Sequence, residues 1–408
     1  MDKLRSQLLR DLQDRGFIYQ TTDLEGLDQL LEKEKISAYV GFDCTAKSLH
    51  VGSLMQIMIM RKLQQNGHKP IILLGSATTK IGDPSDKDGL RKILSDEEIE
   101  DNKRSISKVF HKFLDFSDGC PNKAEIVDNI DWLGGVKYLD FLRHYGVHFS
   151  INRMLTFDSV KNRLDRQTQL TFLEFNYMLL QAYDFLQLYN THNCRLQFGG
   201  SEQWGNIVSG IELGRRIASA ELFGVTTPLI TTSNGVKMGK TAGGAVWLNE
   251  DMLSSYDYWQ FWRNTSDADL LKFMRLYTEL PVEEITSYEN ISGKELNDLK
   301  KKLADEATAM CHGEEAATAA RKAAEETFEA GSSDSLQSFS IGDGEMPLYK
   351  IIVDVGLAKS NSEARKLIAG KGVKLDDSLV EDEKFNLELS DREVKLSIGK
   401  KKHVLLKR

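Results

Sequence analysis

Between Ala38 and Leu74 the apolar pattern of the chain changes period twice. Ala38-Tyr39-Val40-Gly41-Phe42 is apolar, β-branched and aromatic, the signature of a short buried strand. Asp43 to Ser48 is polar and turn-prone. From His50 the pattern becomes a mostly apolar helix on Leu54, Ile57, Met58, Ile59 and Leu63, with Gly67 where a C-terminal cap belongs. Pro70 stops that pattern, and Ile71-Ile72-Leu73-Leu74 reads as the next strand. Strand, loop, helix and strand predict a parallel βαβ unit. Its loop lies at the carboxyl end of the first strand, where open α/β sheets bind ligands.

The rest of the pattern extends an α/β reading. Leu4, Leu8, Leu9 and Leu12 mark one amphipathic helix; Thr22 with Glu25 reads as the capping box of a second. Ser95 with Glu98 caps a helix running to about Leu114. Strands are expected at Glu125–Asp128, Cys194–Phe198 and Pro228–Thr231, and a long helix at Thr171–Tyr189 with Phe172, Phe175, Leu179, Ala182 and Leu186 inward. Ser201 is placed to cap a helix from Gln203 to Ala218. Residues 251–330 are wholly helical in pattern. Residues 331–345 are poor in apolar residues and rich in Ser, Gly and Asp, hence a linker. Beyond Pro347 two short helices and several short strands form a small α+β module. The expected architecture is a Rossmann-like parallel-sheet domain (1–230), a loop (231–245), an all-α domain (246–330), the linker and a tail domain (346–408).

Charge changes the picture at the tail. The 408 residues carry a formal charge of −8. Residues 346–408 hold 14 Lys+Arg against 10 Asp+Glu, a net of +4 that leaves −12 for the rest. A phosphate backbone is therefore expected at the tail. No apolar run approaches the roughly 20 residues of a membrane span, and the charged start fits neither a secretory signal nor a transit peptide. Cys44, Cys120, Cys194 and Cys311 are scattered without metal spacing, which suggests reduced thiols in the cytoplasm.

Two stretches carry candidate chemistry. Leu49-His50-Val51-Gly52 opens a helix, so free N–H groups and the positive dipole end face whatever binds. His50 can donate to phosphate, and Gly52 leaves room for a base or ribose; an ordinary capping loop is the plain alternative. Lys237-Met238-Gly239-Lys240-Thr241 sets two lysines in a glycine-rich loop, a device for polyphosphate charge or a solvated basic turn. Tyr177, Gln181 and Asp184 fall at i, i+4 and i+7, a polar stripe on a buried helix that is suited to line a pocket. Asp83, at a strand end, suits an ammonium group. Lys87 and Arg91 read as surface charges or phosphate ligands. Glu202 or Gln203, after Gly199-Gly200, can accept ribose hydroxyls or hold a substrate.

HVGS and KMGKT together resemble the two signatures of class I aminoacyl-tRNA synthetases. With Tyr39-Val40-Gly41-Phe42-Asp43, Ile81-Gly82-Asp83-Pro84-Ser85, Asp131-Trp132, the YMLLQAYD of Tyr177–Asp184 and the GGSEQWGN of Gly199–Asn206, order and spacing resemble the bacterial-type tyrosyl enzymes nearly end to end. The resemblance implies tyrosine activation by ATP and transfer to tRNA(Tyr), with Mg2+ accompanying pyrophosphate, no tightly bound cofactor, no protein metal site, and a homodimer. It assigns His50, Thr45, Lys237, Lys240, Thr241, Lys87 and Arg91 to the phosphates. Gly41, Asp43, Gly52, Ser53, Gly199 and Glu202 would line the nucleotide. Tyr39 and Asp184 would meet the phenol; Asp83, Tyr177, Gln181, Asn129 and Gln203 would complete the tyrosine pocket. Residues 108–163 would carry the dimer interface and acceptor-stem contacts, with Trp132, Phe141 and Leu142 read equally as core. Arg153, Lys161, Arg163 and Arg166 read equally as tRNA contacts or a solvated face. Ser53, Gly239, Thr241, Glu202 and Cys44 depart from the commonest family residues. Rival readings are a tryptophanyl synthetase, a shorter nucleotidyltransferase, and an RNA-binding protein that kept the fold without the activity.

Overall fold

Six strands build the sheet behind the first signature: β1 (Gln20–Thr21), β2 (Ser37–Asp43), β3 (Lys69–Gly75), β4 (Glu125–Asp128), β5 (Cys194–Gly200) and β6 (Phe223–Thr227). Their order is β1-β6-β5-β2-β3-β4, parallel except for the β1–β6 pair. The chain runs outward from β2 to β3 on one side and returns to β5 on the other. The carboxyl ends of β2 and β5 thus flank a topological switch point, the place for a ligand crevice. This is a computed structural model, and it describes residues 4–86, 93–235, 237–241, 244–330, 338–340, 346–376, 378–387, 394–399 and 402–407.

The predicted βαβ unit is present in register. The helix Val51–Gln65 has His50 as its N-cap and Gly67 at φ 84° just past its end, a left-handed position that glycine occupies without strain. Pro70 lies inside β3, near its start, instead of ending an element. Ser95 and Glu98 form the expected capping box, although that helix stops at Phe110.

Other expectations are corrected. Asp23, not Thr22, caps the second helix; the Thr22 hydroxyl instead accepts the Gly224 N–H at 3.0 Å and ties the segment to β6. The long helix is two, Phe172–Phe175 and Tyr177–His192, separated at Asn176, so Phe172 falls off the buried face and is exposed. Ser201 lies in a short 3-10 turn and caps nothing; Gln203 is the N-cap of Trp204–Ala218 and makes no side-chain cap bond. The strand expected at Pro228–Thr231 is β6, five residues earlier, and Thr231 makes only an isolated bridge to Lys237. Residues 251–330 are helical with short connections, around buried Trp259, Trp262, Tyr258 and Tyr277.

The chain divides into two compact units, Met1–Ala320 and Arg321–Arg408. In the second unit, Leu348–Asp354 and Asn361–Ala369 are helices and Val373–Leu375, Ser378–Leu379, Val394–Ile398, Lys402–Lys407 and Ser338–Ser340 form one sheet. Ser338–Ser340 falls within the segment expected as linker, and it pairs parallel with Leu405–Lys407. Leu348, Ile351, Ile352, Ala364, Ile368 and Leu396 are its fully buried centre. Among the described residues, no helix is long and apolar enough to cross a membrane.

Candidate active site

At the carboxyl ends of β2 and β5 lies a cavity of about 570 Å³. Its wall includes His50, Gly52 and Ser53 from the first signature and Lys237 and Met238 from the second. The two segments, nearly 190 residues apart in the chain, touch directly. Val51 N–H donates to the Val246 carbonyl at 2.9 Å, and Leu248 N–H to the Leu49 carbonyl at 2.9 Å. A side chain at Gly52 would place its Cβ 2.6 Å from His50 Cε1 and 2.8 Å from the Met238 carbonyl oxygen. Gly239, at φ 92°, would meet His50 Nδ1 at 2.7 Å and the Gly52 nitrogen at 2.8 Å. Glycine at 239, a departure from the family's commoner serine, is what the backbone and the space demand.

His50 Nδ1 accepts the Gly52 N–H at 3.0 Å, so in the neutral ring the proton resides on Nε2 and makes that nitrogen a donor. Thr45, Gly41, Asp43, Gly199 and Glu202 also line the cavity. A Cβ at Gly41 would meet nothing nearer than Leu73 at 3.9 Å, so the strand end is open on that side. Lys240 and Thr241 form a two-residue ladder with Gly244–Ala245. Their side chains, and all of Lys87 and Arg91, lie outside the described residues.

The other half of the cavity is built on Tyr39 and Asp184. Both are buried; the Tyr39 hydroxyl has no hydrogen-bond partner among the described residues. Asp184 accepts the Trp132 Nε1–H at 2.7 Å and an Asn129 Nδ2–H at 3.1 Å. Burial pushes its carboxyl up to about 7, although those two donors pull the other way. Asn129 also accepts the Ala77 N–H and donates to Thr78, so it holds Asp184 in place and lines the cavity.

A hydrogen-bonded chain runs along the other wall of the cavity. Gln203 Nε2 donates to Asp83 at 2.8 Å, while Asn206 Nδ2 donates to Gln203 and Gln181 at 3.0 Å each. The Tyr177 hydroxyl donates to Asp43 at 3.1 Å, which joins the two halves. Asp43 also accepts the Thr78 hydroxyl at 2.8 Å. Every predicted tyrosine-pocket residue lines this one cavity.

Several contributors escaped the sequence reading of the site. Gln197 pairs with Tyr39 in register, so the two share a sheet face; its Oε1 is buried without a partner among the described residues. A lone amide in an apolar strand was the available signal. Asn206 and Thr78 act through other side chains, and no local pattern marks them. Arg163 is corrected from a surface or tRNA residue: it is buried against Glu174 at 3.3 Å and bonds the Gln169 carbonyl. Phe141 is core, and Trp132 serves Asp184.

Residues 31–329 match the family described as tRNA synthetases class I (W and Y), and 346–392 match the S4 domain. The tyrosine–tRNA ligase of Novosphingobium aromaticivorans is 54% identical over all of both chains. That of Xanthobacter autotrophicus is also 54% identical, over 99% of this chain and 98% of its own. The chain belongs to the class I tyrosyl-tRNA synthetases. A C-terminally truncated mitochondrial tyrosyl-tRNA synthetase from Aspergillus nidulans superposes with a TM-score of 0.70 at 28% identity, covering 79% of this synthetase and 94% of that chain. The cavity of this synthetase is thus set in a fold shared with the tyrosyl enzymes.

Proposed function

We propose that the cavity holds ATP and L-tyrosine side by side, and that the two signatures close on the triphosphate. The enzyme makes tyrosyl-adenylate and pyrophosphate, then transfers tyrosine to the 3′-terminal adenosine of tRNA(Tyr). The supporting observation is a single cavity lined by both signature segments and by the buried Tyr39–Asp184 pair.

The tyrosine carboxylate attacks the α-phosphorus and pyrophosphate leaves, so the protein contributes alignment and charge stabilisation. His50 donates from Nε2, and Thr45, Lys237, Lys240 and Thr241, with Lys87 and Arg91, meet the developing charge. Gly52, Ser53, Gly41 and Gly199 line the nucleoside, and Glu202 takes a ribose hydroxyl. Asp43 stays with Tyr177, which steadies the ammonium end beside Asp83, Gln181 and Gln203. The phenol hydroxyl donates a hydrogen bond to ionised Asp184, and the Tyr39 hydroxyl donates to the phenol oxygen. Phenylalanine would leave that buried pair unsatisfied, a mode of rejection for which tyrosyl synthetases are themselves the known example. Mg2+ arrives with the nucleotide as part of the substrate. Among the described residues no group of three or more His, Cys, Asp or Glu is set to hold a metal.

The chain works as a homodimer. Leu139, Val147 and Phe172 are 77%, 71% and 69% exposed, within a segment that also exposes Tyr138, Ile151 and Leu173; a second copy would cover them. The basic tail, matching the S4 family, takes the tRNA. All four cysteines are free thiols, which supports the cytoplasm as its compartment.

Tyrosine-dependent ATP–pyrophosphate exchange, run with tyrosine, phenylalanine and tryptophan on the parent and Asp184→Ala, tests the reading. Tyrosine alone should support exchange, and Asp184→Ala should abolish it. Exchange supported by tryptophan and not tyrosine would overturn it.

A further inference from the structure

A buried carboxylate 28 residues past the second signature holds the root of its loop. Asp269, in the first turn of the helix Asp267–Tyr277, is 4% exposed. Its Oδ2 accepts the Ser233 N–H at 2.7 Å and the Ser266 hydroxyl at 2.8 Å; the Ser233 hydroxyl lies 2.8 Å from that of Ser266. Its Oδ1 is 3.0 Å from Lys272 Nζ, which also donates to the Thr231 carbonyl at 2.9 Å. Burial alone would raise this carboxyl, but the Ser233 N–H, Lys272 and the serine hydroxyls bring it down to about 2.

Those contacts end one step from a loop lysine. Thr231 pairs with Lys237 in an antiparallel bridge, and Met238 N–H donates to the Ile230 carbonyl at 2.9 Å. Ile230–Thr231 and Lys237–Met238 are therefore paired as two antiparallel arms. One arm is fastened at Thr231 and Ser233 to Asp269 and Lys272, and the other carries Lys237 to the cavity rim. Past Lys237 the loop rests on His50 and Gly52. The carboxylate thus fixes the near end of the loop, while the first signature meets its far side.

We propose that Asp269 is a positioning residue for tyrosine activation, placing Lys237 over the phosphates through the paired arms Ile230–Thr231 and Lys237–Met238. The proposal rests on Lys237 being a phosphate ligand, as argued above. Asparagine keeps the size and one acceptor oxygen but cannot hold Lys272 as an ion pair, so the grip on Thr231 loosens. Tyrosine binds on the far side of the cavity and should not notice.

The test is tyrosine-dependent ATP–pyrophosphate exchange, with tyrosine affinity from equilibrium dialysis, on full-length Asp269→Asn, Lys272→Met, Lys237→Ala and Asp269→Asn/Lys237→Ala. Asp269→Asn should lower kcat by about tenfold or more, with tyrosine affinity within about twofold of the parent. In the Lys237→Ala background it should cost less than about twofold, because the group it places is gone. Lys272→Met, at a partly exposed site, should act in the same direction and carries the test if Asp269→Asn does not fold. Equal effects in both backgrounds, or a loss seen only as weaker tyrosine binding and a lower melting temperature, would overturn the proposal. If Lys237→Ala leaves exchange unchanged, the phosphate role of Lys237 fails and the proposal with it. If Lys237→Ala lowers exchange and neither Asp269→Asn nor Lys272→Met does, only the Asp269 inference fails.

Discussion

In the role proposed for it, Asp184 carries both specificity and pH dependence. Buried, it would rather be neutral, and its carboxyl rises to about 7 in spite of the Trp132 and Asn129 donors. The raised folded value means that its contribution favours the empty protein at low pH and is lost as pH rises through about 7. The ionised form is the one that accepts a hydrogen bond from the phenol. The KM for tyrosine should therefore fall as pH rises from about 6 to about 8, by at most about tenfold per unit below the midpoint. Asp184→Asn should flatten that profile; a flat profile in the parent would contradict the assignment. Gly52 makes a second residue-scale prediction. Alanine there must push the His50 ring or the Met238 carbonyl, both under 3 Å from its Cβ. Exchange kcat should drop about a hundredfold with tyrosine binding intact. The roles proposed for Tyr39 and Asp184 rest on family resemblance, while the stripe of Tyr177, Gln181 and Asp184 along one cavity was legible through helical spacing. The Asn129–Asp184 bond was not legible, because it joins elements 55 positions apart that only the sheet brings together.

Elements were readable where periodicity was strong. The βαβ unit is apolar on a clean pattern and falls where the sequence puts it. β6 was misplaced because Pro228 and its apolar neighbours outshine Phe223–Thr227, whose strand character comes from pairing with β5 and β1. Thr22 was misread for a similar reason: a long-range bond to Gly224 outweighed a local cap. The helix Val51–Gln65 is secured at its far end as well. Lys62 is buried with its ammonium on Glu279, and Arg61 bonds the same carboxylate. Arg15 grips the carbonyls of Arg275, Thr278 and Leu280 around it. Glu279→Gln would leave the buried Lys62 without its counter-charge. We expect a loss of about 1–3 kcal/mol, read as a lower urea midpoint with unchanged m; an unshifted midpoint would show that the pair contributes nothing.

At the scale of the whole molecule, charge and apolar surface divide the work. Residues 346–408 carry the excess positive charge, and the larger unit holds the cavity. A chain ending before residue 346 should keep tyrosine-dependent exchange and lose most aminoacylation of tRNA, the two assays measured side by side. Leu139→Asp should shift the chain from dimer to monomer in sedimentation equilibrium, since it puts a charge into the apolar face. The domain order was visible in composition and pattern, whereas the pairing of Ser338–Ser340 with the last strand was not: three residues in a Ser-rich stretch carry no periodicity. Everything proposed for the reaction requires that a phenol and a triphosphate share one cavity between two distant segments. A crystal structure with a non-hydrolysable tyrosyl-adenylate analogue would show whether they do. The phenol oxygen should lie within hydrogen-bond distance of both Tyr39 and Asp184, and the phosphate beside His50. A ligand whose phenol lies elsewhere, or whose phosphate is remote from His50, would refute the shared cavity.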